Sequence, residues 1–372
     1  MALIRPERGS FGESSSQNFP SGKHGKVTLM NRLLLLASFA ACVLQAAPKS
    51  LFYLTDQPRS VRSFVQHAAK IDIVVPVWYS VNPDGLVWGG PNPLVMEVAK
   101  THGVEVMPII VNPGFNQGDF HRLLDNKEAQ LKMIAALSRE CKQNGYSGFQ
   151  FDFEHVSWTD RQTLTTLAYL CADALHQNGL KLSIATVPNA PGFPGETGFG
   201  KWIFENWRGA YDLAALAKRL DLICLMTYDE HTRYTPPGPV AGYLWTTQNL
   251  DYALQQVPKE KLSLGIPLYS QHWFAGAPRT DQGPAISAAS TTAEDARQLA
   301  QTYHAAIEWD STDRASWFYF YRDFTREYVF LTDARTFRER WNLANQRGLQ
   351  GFCSWVLGDE DTEIWNLLPS RK

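Results

Sequence analysis

Residues 145–156 read Gly-Tyr-Ser-Gly-Phe-Gln-Phe-Asp-Phe-Glu-His-Val. In an extended strand successive side chains point to opposite faces, so Gln150, Asp152 and Glu154 would share one face. The opposite face would carry only aromatic rings: Phe149, Phe151 and Phe153. An aromatic face suits burial beneath helices, whereas the polar face would be costly in a sealed core. We therefore predict a strand whose polar face opens at the mouth of a site.

The two carboxylates of this strand are close enough to influence each other's ionisation. Asp152 and Glu154 are two residues apart, and two negative charges on one face push their pKa values apart. Such a pair suits acid–base chemistry. The alternative is a strand end whose acids only face solvent or pair with arginine.

The composition limits how large a core the chain can form and which kinds of ligand it is expected to bind. With 372 residues, of which 44% are hydrophobic, the chain can form one barrel-sized domain or two smaller ones. A net charge of -2 gives no electrostatic reason to expect a nucleic-acid partner. The 12 Trp and 14 Tyr residues are a hint of sugar binding, since flat rings can stack on sugars, but aromatic residues also fill cores.

The N-terminal residues read as a leader followed by an export signal. Residues 1–29 show no apolar periodicity, and we predict that they are disordered or untranslated. Residues 30–47 combine a positive start, a short apolar run and small residues, which is the pattern of a signal peptide. The run is too short for a comfortable membrane span. We therefore expect a secreted or periplasmic protein, with lipid attachment at Cys42 less favoured because Phe39 suits that motif poorly.

The mature chain, residues 48–372, alternates apolar runs with helical patterns. The predicted helices cover residues 59–69, 93–102, 124–144, 158–178 and 212–220. The predicted strands cover residues 51–54, 71–78, 104–111, 148–154, 182–188, 222–229, 262–269 and 351–357. Eight strands in βα alternation predict an α/β fold, the (β/α)8 TIM barrel, with functional groups at the C-terminal ends of the strands.

The alternation fails once, between the seventh and eighth strands. Residues 316–321 and 327–331 are rich in aromatic and β-branched side chains and flank a polar turn, which predicts a β-hairpin. We predict that residues 274–332 form a small α+β insertion beside the mouth of the barrel. The hairpin could form a wall for a substrate or could only seal the barrel.

The cysteines of the mature chain show no metal-binding spacing. Cys224 and Cys353 fall inside apolar strands and are predicted to be packed thiols. Cys141 and Cys171 lie on consecutive predicted helices and could pair in an oxidising compartment.

Three motifs carry a resemblance to a known family. Residues 148–154 resemble the DxxDxDxE signature of family-18 glycoside hydrolases, the chitinase family, with Gln150 at the first Asp of its DxDxE core. Residues 226–229, Met-Thr-Tyr-Asp, resemble the MxYD motif of that family, and Trp355 resembles its strand-eight tryptophan. The resemblance spans roughly residues 50–368, in the family's order.

A narrower resemblance is to the spore-cortex and cell-wall branch of the family. It rests on Tyr-Asp-Glu-His231, on Pro-Pro-Gly-Pro-Val-Ala241, on Trp245, and on Gly-Ile-Pro-Leu-Tyr269 through Trp273. Members of this branch hydrolyse N-acetylglucosaminyl bonds in peptidoglycan and often carry Asn where this chain has Gln150. The resemblance thus implies a polysaccharide substrate that contains N-acetylglucosamine, with cell-wall glycan ahead of chitin.

The resemblance also implies a role for each motif residue. In this family the 2-acetamido oxygen of the substrate attacks C1. Glu154 would be the general acid, Asp152 would hold the acetamido N–H, and Tyr228 would donate to the acetamido oxygen. Asp229 would order the sugar, and Trp355 would form an apolar floor. Barrel-rim hydrogen bonding for Tyr228 and Asp229, and plain packing for Trp355, are the alternatives.

Further residues at strand ends are predicted to contact the substrate. They are Met226, Trp78 and Tyr269, which end or adjoin the sixth, second and seventh strands. Gln150 departs from the family pattern, since an amide cannot share a proton between two acids. It could instead donate a hydrogen bond to Asp152, or it could lie lower in the barrel, satisfied by backbone groups.

The remaining expectations concern ligands and assembly. His155, Glu230 and His231 could suggest a metal site, but adjacent residues at one strand end diverge, and we expect no metal and no cofactor. We expect a monomer without a membrane span. The other function class to weigh is a carbohydrate-binding lectin on the same barrel, although such proteins generally lose the acid that Glu154 would supply.

Overall fold

The structure is a computed structural model that describes residues 49–190, 193–275 and 286–371. The predicted leader 1–29, the signal peptide 30–47 and Cys42 lie outside the described residues, as do residues 276–285 of the insertion. No helix in the described ranges is both long enough and apolar enough to cross a membrane.

Apolar runs with β-branched and aromatic side chains form the strands. In chain order the strands are β1 (Lys49–Leu54), β2 (Ile73–Val81), β3 (Val87–Gly89), β4 (Glu105–Val106), β5 (Ile109–Val111), β6 (Gly148–Asp152), β7 (Lys181–Thr186), β8 (Leu222–Leu225), β9 (Leu262–Pro267), β10 (Ser270–Ala275), β11 (Ile286–Thr291), β12 (Glu308–Asp310), β13 (Ala315–Arg322), β14 (Thr325–Leu331) and β15 (Gly351–Trp355).

Helices separate most of the barrel strands. They are α1 (Pro58–His67), α2 (Pro93–His102), α3 (Gln117–Asp125), α4 (Lys127–Asn144), α5 (Arg161–His176), α6 (Gly198–Ile203), α7 (Leu213–Arg219), α8 (Tyr243–Leu254), α9 (Ala293–Thr302), α10 (Ala334–Arg347) and α11 (Ile364–Leu367). The single helix predicted over residues 124–144 is wrong at its start. Asn126 has an extended backbone there and its side chain accepts from the N–H of Ala129 at 3.1 Å, so it caps α4 and separates it from α3.

The strands close into the predicted (β/α)8 barrel. Parallel pairing runs in the order β1, β15, β9, β8, β7, β6, β5 and β2, and β1 also pairs with β2, which completes the ring. The third barrel strand is interrupted at Met107 and Pro108, between β4 and β5, where proline has no N–H to donate to a ladder. The C-terminal ends of the barrel strands therefore share one rim, where barrel enzymes carry their active sites.

Apolar side chains pack on both sides of the barrel wall. The three phenylalanines of the fourth barrel strand are fully buried in the layer between barrel and helices, as predicted. A separate cluster fills the barrel interior; its buried members are Leu51, Tyr53, Ile73, Val75, Met107, Ile109, Ala185, Leu222, Cys224, Met226, Cys353 and Val356. The polar face of the fourth strand points toward this inner cluster.

The predicted insertion is an α+β unit that begins earlier than residue 274. Its sheet has the order β11, β10, β14, β13, β12, and β10 starts at Ser270. The predicted hairpin is confirmed as the antiparallel pair β13–β14, with Phe318 opposite Val329. Helix α9 covers one face of this sheet through Ala296 and Ala300.

All four cysteines of the described chain are buried free thiols. Cys224 and Cys353 lie in the barrel interior, which confirms their prediction as packed thiols. Cys141 and Cys171 are unpaired in this structure, and burial raises the pKa of the Cys141 thiol to about 12, which makes it unreactive at neutral pH.

Candidate active site

The polar triplet lies at the C-terminal end of the fourth barrel strand. Gln150 and Asp152 belong to β6, and Glu154 follows two residues after the strand ends. Gln150 is fully buried and Asp152 is only 7% exposed, whereas Glu154 is partly exposed. The triplet therefore runs from the barrel interior to its rim, in the order of the sequence.

Burial sets the ionisation of both acids. It raises the pKa of Asp152 above the ordinary value of a carboxyl, because water is removed from around the charged form. The pKa of Glu154 is also raised, first by burial and then by the negative charges of Asp152 and Asp229. The Oδ1 atom of Asp152 is buried with no hydrogen-bond partner among the described residues. This site therefore keeps a proton to higher pH than ordinary carboxyls do, and Asp152 presents a buried acceptor atom.

The sixth and seventh barrel strands bring two tyrosines and an aspartate to the same rim. Asp229 has a left-handed backbone, with a φ of 61°, and its carboxylate accepts a hydrogen bond from the hydroxyl of Tyr269. Burial, together with nearby groups that include Asp152 and Glu154, raises the pKa of Tyr228 well above its ordinary value. Tyr228 therefore stays a neutral phenol that can donate a hydrogen bond beside the acids.

Met226 and Trp355 form part of the apolar surface below the acids. Met226 is a buried member of the inner cluster, and Trp355 packs against that cluster while remaining partly exposed. The rings of Trp355 and Tyr53 are 5.3 Å apart. This position suits the predicted floor for Trp355 and places Met226 largely in the core.

The structure contradicts the predicted substrate contact of Trp78. Trp78 is 7% exposed and packs in the layer between barrel and helices, with its ring 6.2 Å from that of Tyr146. Its Nε1 donates to Asp56 at 3.2 Å. Val75 and Val77 contact the inner cluster, whereas Trp78 and Tyr79 both pack in the outer layer, where the register with β5 shifts between Val77 and Tyr79.

The predicted hydrogen bond from Gln150 to Asp152 is also wrong. The Nε2 atom of Gln150 donates to the Ser183 hydroxyl at 2.9 Å and contacts the Cys224 sulfur at 3.3 Å. Gln150 thus lies lower in the barrel, as the alternative held. Its partners are side chains of neighbouring strands, however, and not backbone groups.

The three residues weighed as metal ligands make separate contacts. His155 stacks on Trp207 with ring centroids 4.8 Å apart. The Glu230 carboxylate accepts from the N–H of Gly242 at 2.6 Å, and His231 Nδ1 lies 3.0 Å from the carbonyl of Pro236. Glu230 and His231 thus bond different residues of the loop between β8 and α8, whereas His155 packs against a residue outside that loop.

Sequence reasoning missed two polar residues that contact the backbone around the acid. Asn112 is 2% exposed and hydrogen-bonds to the backbone of Glu154, and the hydroxyl of Tyr211 donates to the carbonyl of Phe153. A signal existed for Asn112, because it directly follows the third barrel strand, where functional residues concentrate. Tyr211 precedes α7, and nothing in its local pattern indicates the contact.

Comparison with known proteins agrees with this architecture. A family model described as "Glycosyl hydrolases family 18" matches residues 51–361. The chain is 26% identical over 297 residues to the cortical fragment-lytic enzyme of Bacillus subtilis (strain 168), an alignment that covers 79% of this chain and 66% of that protein. The chain thus spans just under two thirds of that relative's length.

Solved structures give the same result for the fold. The chitinase from Chromobacterium violaceum ATCC 12472 superposes with a TM-score of 0.76 at 25% identity, over 86% of this chain and 97% of that one. The spore cortex-lytic enzyme SleL of Bacillus megaterium QM B1551 gives a TM-score of 0.76 at 21% identity, over 88% and 76% of the two chains. The resemblance to family 18 and to its spore-cortex branch is therefore confirmed. Since the family match covers most of the chain, the protein belongs to the glycosyl hydrolases of family 18.

Proposed function

We propose that this protein hydrolyses β-1,4 N-acetylglucosaminyl bonds in a polysaccharide, with cell-wall glycan ahead of chitin. The observation that carries the proposal is the pair Asp152 and Glu154, two carboxyls with raised pKa values at the rim of the barrel. The similarity to a cortical fragment-lytic enzyme supports the cell-wall substrate. A carboxyl with a raised pKa at the position of Glu154 favours an enzyme over a binding protein, because a general acid must hold a proton at the pH of the reaction.

Glu154 supplies the proton in the proposed reaction. In its protonated form it donates to the glycosidic oxygen as the bond to C1 breaks, while the substrate's own acetamido oxygen attacks C1 from the other side. The carboxylate of Glu154 then takes a proton from the water that opens the resulting oxazolinium ring. Because C1 is inverted twice, the product keeps the β configuration.

The neighbouring residues orient the acetamido group. The unpartnered Oδ1 of Asp152 is available to accept the acetamido N–H and to stabilise the positive charge that develops there. Tyr228, kept as a phenol, donates to the acetamido oxygen. Trp355 lies beneath the sugar, and the pair Asp229 and Tyr269 orders its hydroxyl groups.

Export and assembly are proposed from the sequence. We propose that residues 30–47 direct the chain out of the cytoplasm and that it acts as a monomer. Sequencing the N-terminus of the exported protein would test the first statement, because removal of the signal predicts a new terminus near residue 48. Light scattering coupled to gel filtration would test the second.

The function is tested by the products that it releases. The purified protein is incubated with chitin oligomers and with purified peptidoglycan, and the released sugars are identified. We expect N-acetylglucosaminyl cleavage of at least one substrate, inhibition by a thiazoline mimic of the oxazolinium, and a β-anomer as the first product by NMR. An initial α-anomer would exclude the substrate-assisted mechanism, and no release from either glycan would contradict the proposed activity.

A further inference from the structure

The backbone that carries Glu154 has left the sheet. Strand β6 ends at Asp152, and the last residue pair between β5 and β6 is Val111 with Asp152. Beyond that pair, no strand in the described part of the chain pairs with Phe153 or Glu154. His155 then has a φ of 53°, a left-handed conformation that costs an L-residue energy and needs support from its surroundings. The acid therefore stands on a bent, non-strand segment.

We propose that Asn112 and Tyr211 are positioning residues for Glu154, because their side chains supply the hydrogen bonds that the sheet no longer provides. This inference rests on the proposed role of Glu154 as the acid. Neither residue reaches the substrate in this role. Both act through the backbone on which the acid is mounted.

Asn112 binds Glu154 as a strand neighbour would. Its Oδ1 accepts from the N–H of Glu154 at 3.1 Å, and its Nδ2 donates to the carbonyl of Glu154 at 2.9 Å. A side-chain amide that pairs with both backbone groups of one residue fixes the rotation of that residue as well as its position. The side chain is almost completely buried, so water cannot replace these bonds without rearrangement.

Tyr211 holds the residue before the acid. Its hydroxyl donates to the carbonyl of Phe153 at 2.7 Å, and the tyrosine is 4% exposed. Burial, and after it the charges of Glu154 and Asp152, raises the pKa of Tyr211 well above its ordinary value. It remains protonated and keeps its donor.

The loop after β5 completes the support. The Nδ1 of His155 lies 3.1 Å from the carbonyl of Phe115, and the Nε2 of Gln117 donates to the carbonyl of His155 at 3.3 Å. The segment that bears Glu154 is thus tied to the end of the third barrel strand by several contacts. Of these, Asn112 alone holds the acid itself.

The expected consequence is a loss of proton donation with little loss of binding. A displacement of about 1 Å at a reacting group can lower a rate roughly 10²-fold. We therefore expect Asn112→Ala to lower kcat on chitin oligomers by about 10-fold or more, with KM changed by less than about 3-fold. Tyr211→Phe, which removes one of the three bonds, should lower kcat by about 3-fold to 10-fold.

The substrate's leaving group separates positioning from general loss of structure. An aryl glycoside with a nitrophenol leaving group needs little help from an acid, since its leaving oxygen is already stable as an anion. If the two residues position the acid, their variants should retain most of their turnover on the aryl N-acetylglucosaminide oligomer. A variant that is merely less folded would lose both activities equally.

The chain provides matched controls. Tyr169→Phe removes a hydroxyl that donates to the carbonyl of Ala215, also at 2.7 Å but between outer helices. Gln130→Ala removes two bonds from a buried amide to the carbonyls of Leu123 and Leu124. Both controls should keep wild-type ratios between the two substrates.

The experiment measures kcat and KM of wild type and all four variants on both substrates, with a melting curve for each protein. Equal losses on the two substrates, or losses no larger than those of the controls, would overturn the positioning role while leaving the proposed function intact. If Asn112→Ala does not fold, Tyr211→Phe decides the question. A folded wild-type protein inactive on both substrates would overturn the proposed function, and the positioning role with it.

Discussion

The rim of the barrel and the sheet of the insertion both bring aromatic and polar groups together. The groups at the rim are mostly buried, whereas those on the insertion are partly exposed to solvent. At the rim, Asp152 is buried and Glu154 is partly buried, and the pKa values of both rise. On the insertion, the face of the sheet opposite α9 carries rings that remain partly in contact with solvent. Its side chains on the hairpin are Trp317, Tyr319, Tyr321, Arg326, Tyr328 and Phe330.

The rings of this insertion face are arranged in rows across the hairpin. The centroids of Trp317 and Phe330 are 5.9 Å apart with nearly parallel planes, and Tyr321 is 56% exposed. The guanidinium of Arg326 lies 4.7 Å from the ring of Tyr319 and donates to the Tyr321 hydroxyl. Because β10 starts immediately after Tyr269, this sheet begins beside the candidate site.

This difference in burial indicates which substitutions should change turnover and which should change polymer binding. A buried carboxyl changes its chemistry because a nearby charge or lost water acts strongly in a medium of low polarity. An exposed ring contributes contact area, which adds affinity in small steps. Substitutions at the rim should therefore change turnover strongly, whereas substitutions on the insertion face should change polymer binding weakly.

The largest effect is expected at the acid. Glu154→Gln keeps the shape of the side chain but removes its proton, so kcat on an unactivated glycan should fall by roughly 10²-fold or more. Sugar binding, measured by calorimetry with a chitin oligomer, should survive. A variant that kept most of its turnover would show that another group is the acid.

The second effect is on the pH dependence of turnover. Both acids have raised pKa values, so Glu154 remains a proton donor to higher pH than an ordinary carboxyl, and Asp152 needs a higher pH to ionise. The two limbs of the kcat/KM profile should therefore both lie above about pH 4, the ordinary carboxyl range. The activity should fall on the acidic side where the pair of Asp152 and Glu154 gains a second proton. It should fall on the alkaline side where the pair loses its only remaining proton.

Asp152→Asn sharpens that prediction. The negative charge of Asp152 helps to raise the pKa of Glu154, so its removal should lower that pKa. The alkaline limb of the residual activity should then move to lower pH. An alkaline limb that stays in place in this variant would mean that the two acids are not electrostatically linked.

The third effect concerns stability in the barrel interior. Gln150→Asp removes the amide that bonds Ser183 and places a carboxyl at a fully buried position, which should destabilise by about 1–3 kcal/mol. Burial would raise the pKa of that carboxyl in the folded state above its value in the unfolded chain. The free energy of unfolding of the variant should therefore be highest at low pH, where the carboxyl is protonated, and should fall as the pH rises above about 4. Melting curves at pH 4 and pH 8 measure this, with Gln150→Asn as the uncharged comparison.

A new acidic ionisation in the activity of Gln150→Asp would contradict this expectation. It would mean that a carboxyl at residue 150 shares a proton with Asp152, although Gln150 itself makes no hydrogen bond to it among the described residues. The melting curves and the activity profile therefore both test whether the side chain of residue 150 lies below Asp152 without bonding to it.

The smallest effect is expected on the insertion face. If these rings form a wall for a long glycan, Tyr321→Ala should weaken binding to insoluble polymer by about 2-fold to 10-fold, the range for loss of one aromatic contact. Cleavage of a short oligomer should not change. Leu131→Ala, which removes an exposed apolar side chain from an outer helix, is the matched control. Equal binding by both variants would favour the hairpin as a seal only.

Much of the fold could be predicted because its signals are local. The alternation of phenylalanine with polar residues over 148–154 fixed which side chains face the helices, since a strand has a period of two. The outward position of Trp78 has no such local signal, because residues 73–78 are a continuous apolar run and the register with β5 shifts between Val77 and Tyr79. The motifs that contain Glu154 and Asp229 also predicted that these residues lie at the ends of the fourth and sixth barrel strands.

By itself, then, the sequence determined the barrel, the insertion, the family and the position of the acids along the strand. The tertiary structure alone decided that Gln150 bonds Ser183, that one oxygen of Asp152 has no partner among the described residues, and that Asn112 pairs with the backbone of Glu154. The physical reason is the distance along the chain. The face of a strand on which a side chain lies is set by its neighbours in sequence. Its hydrogen-bond partners and its pKa depend on groups from other strands, which only the closed barrel brings within reach.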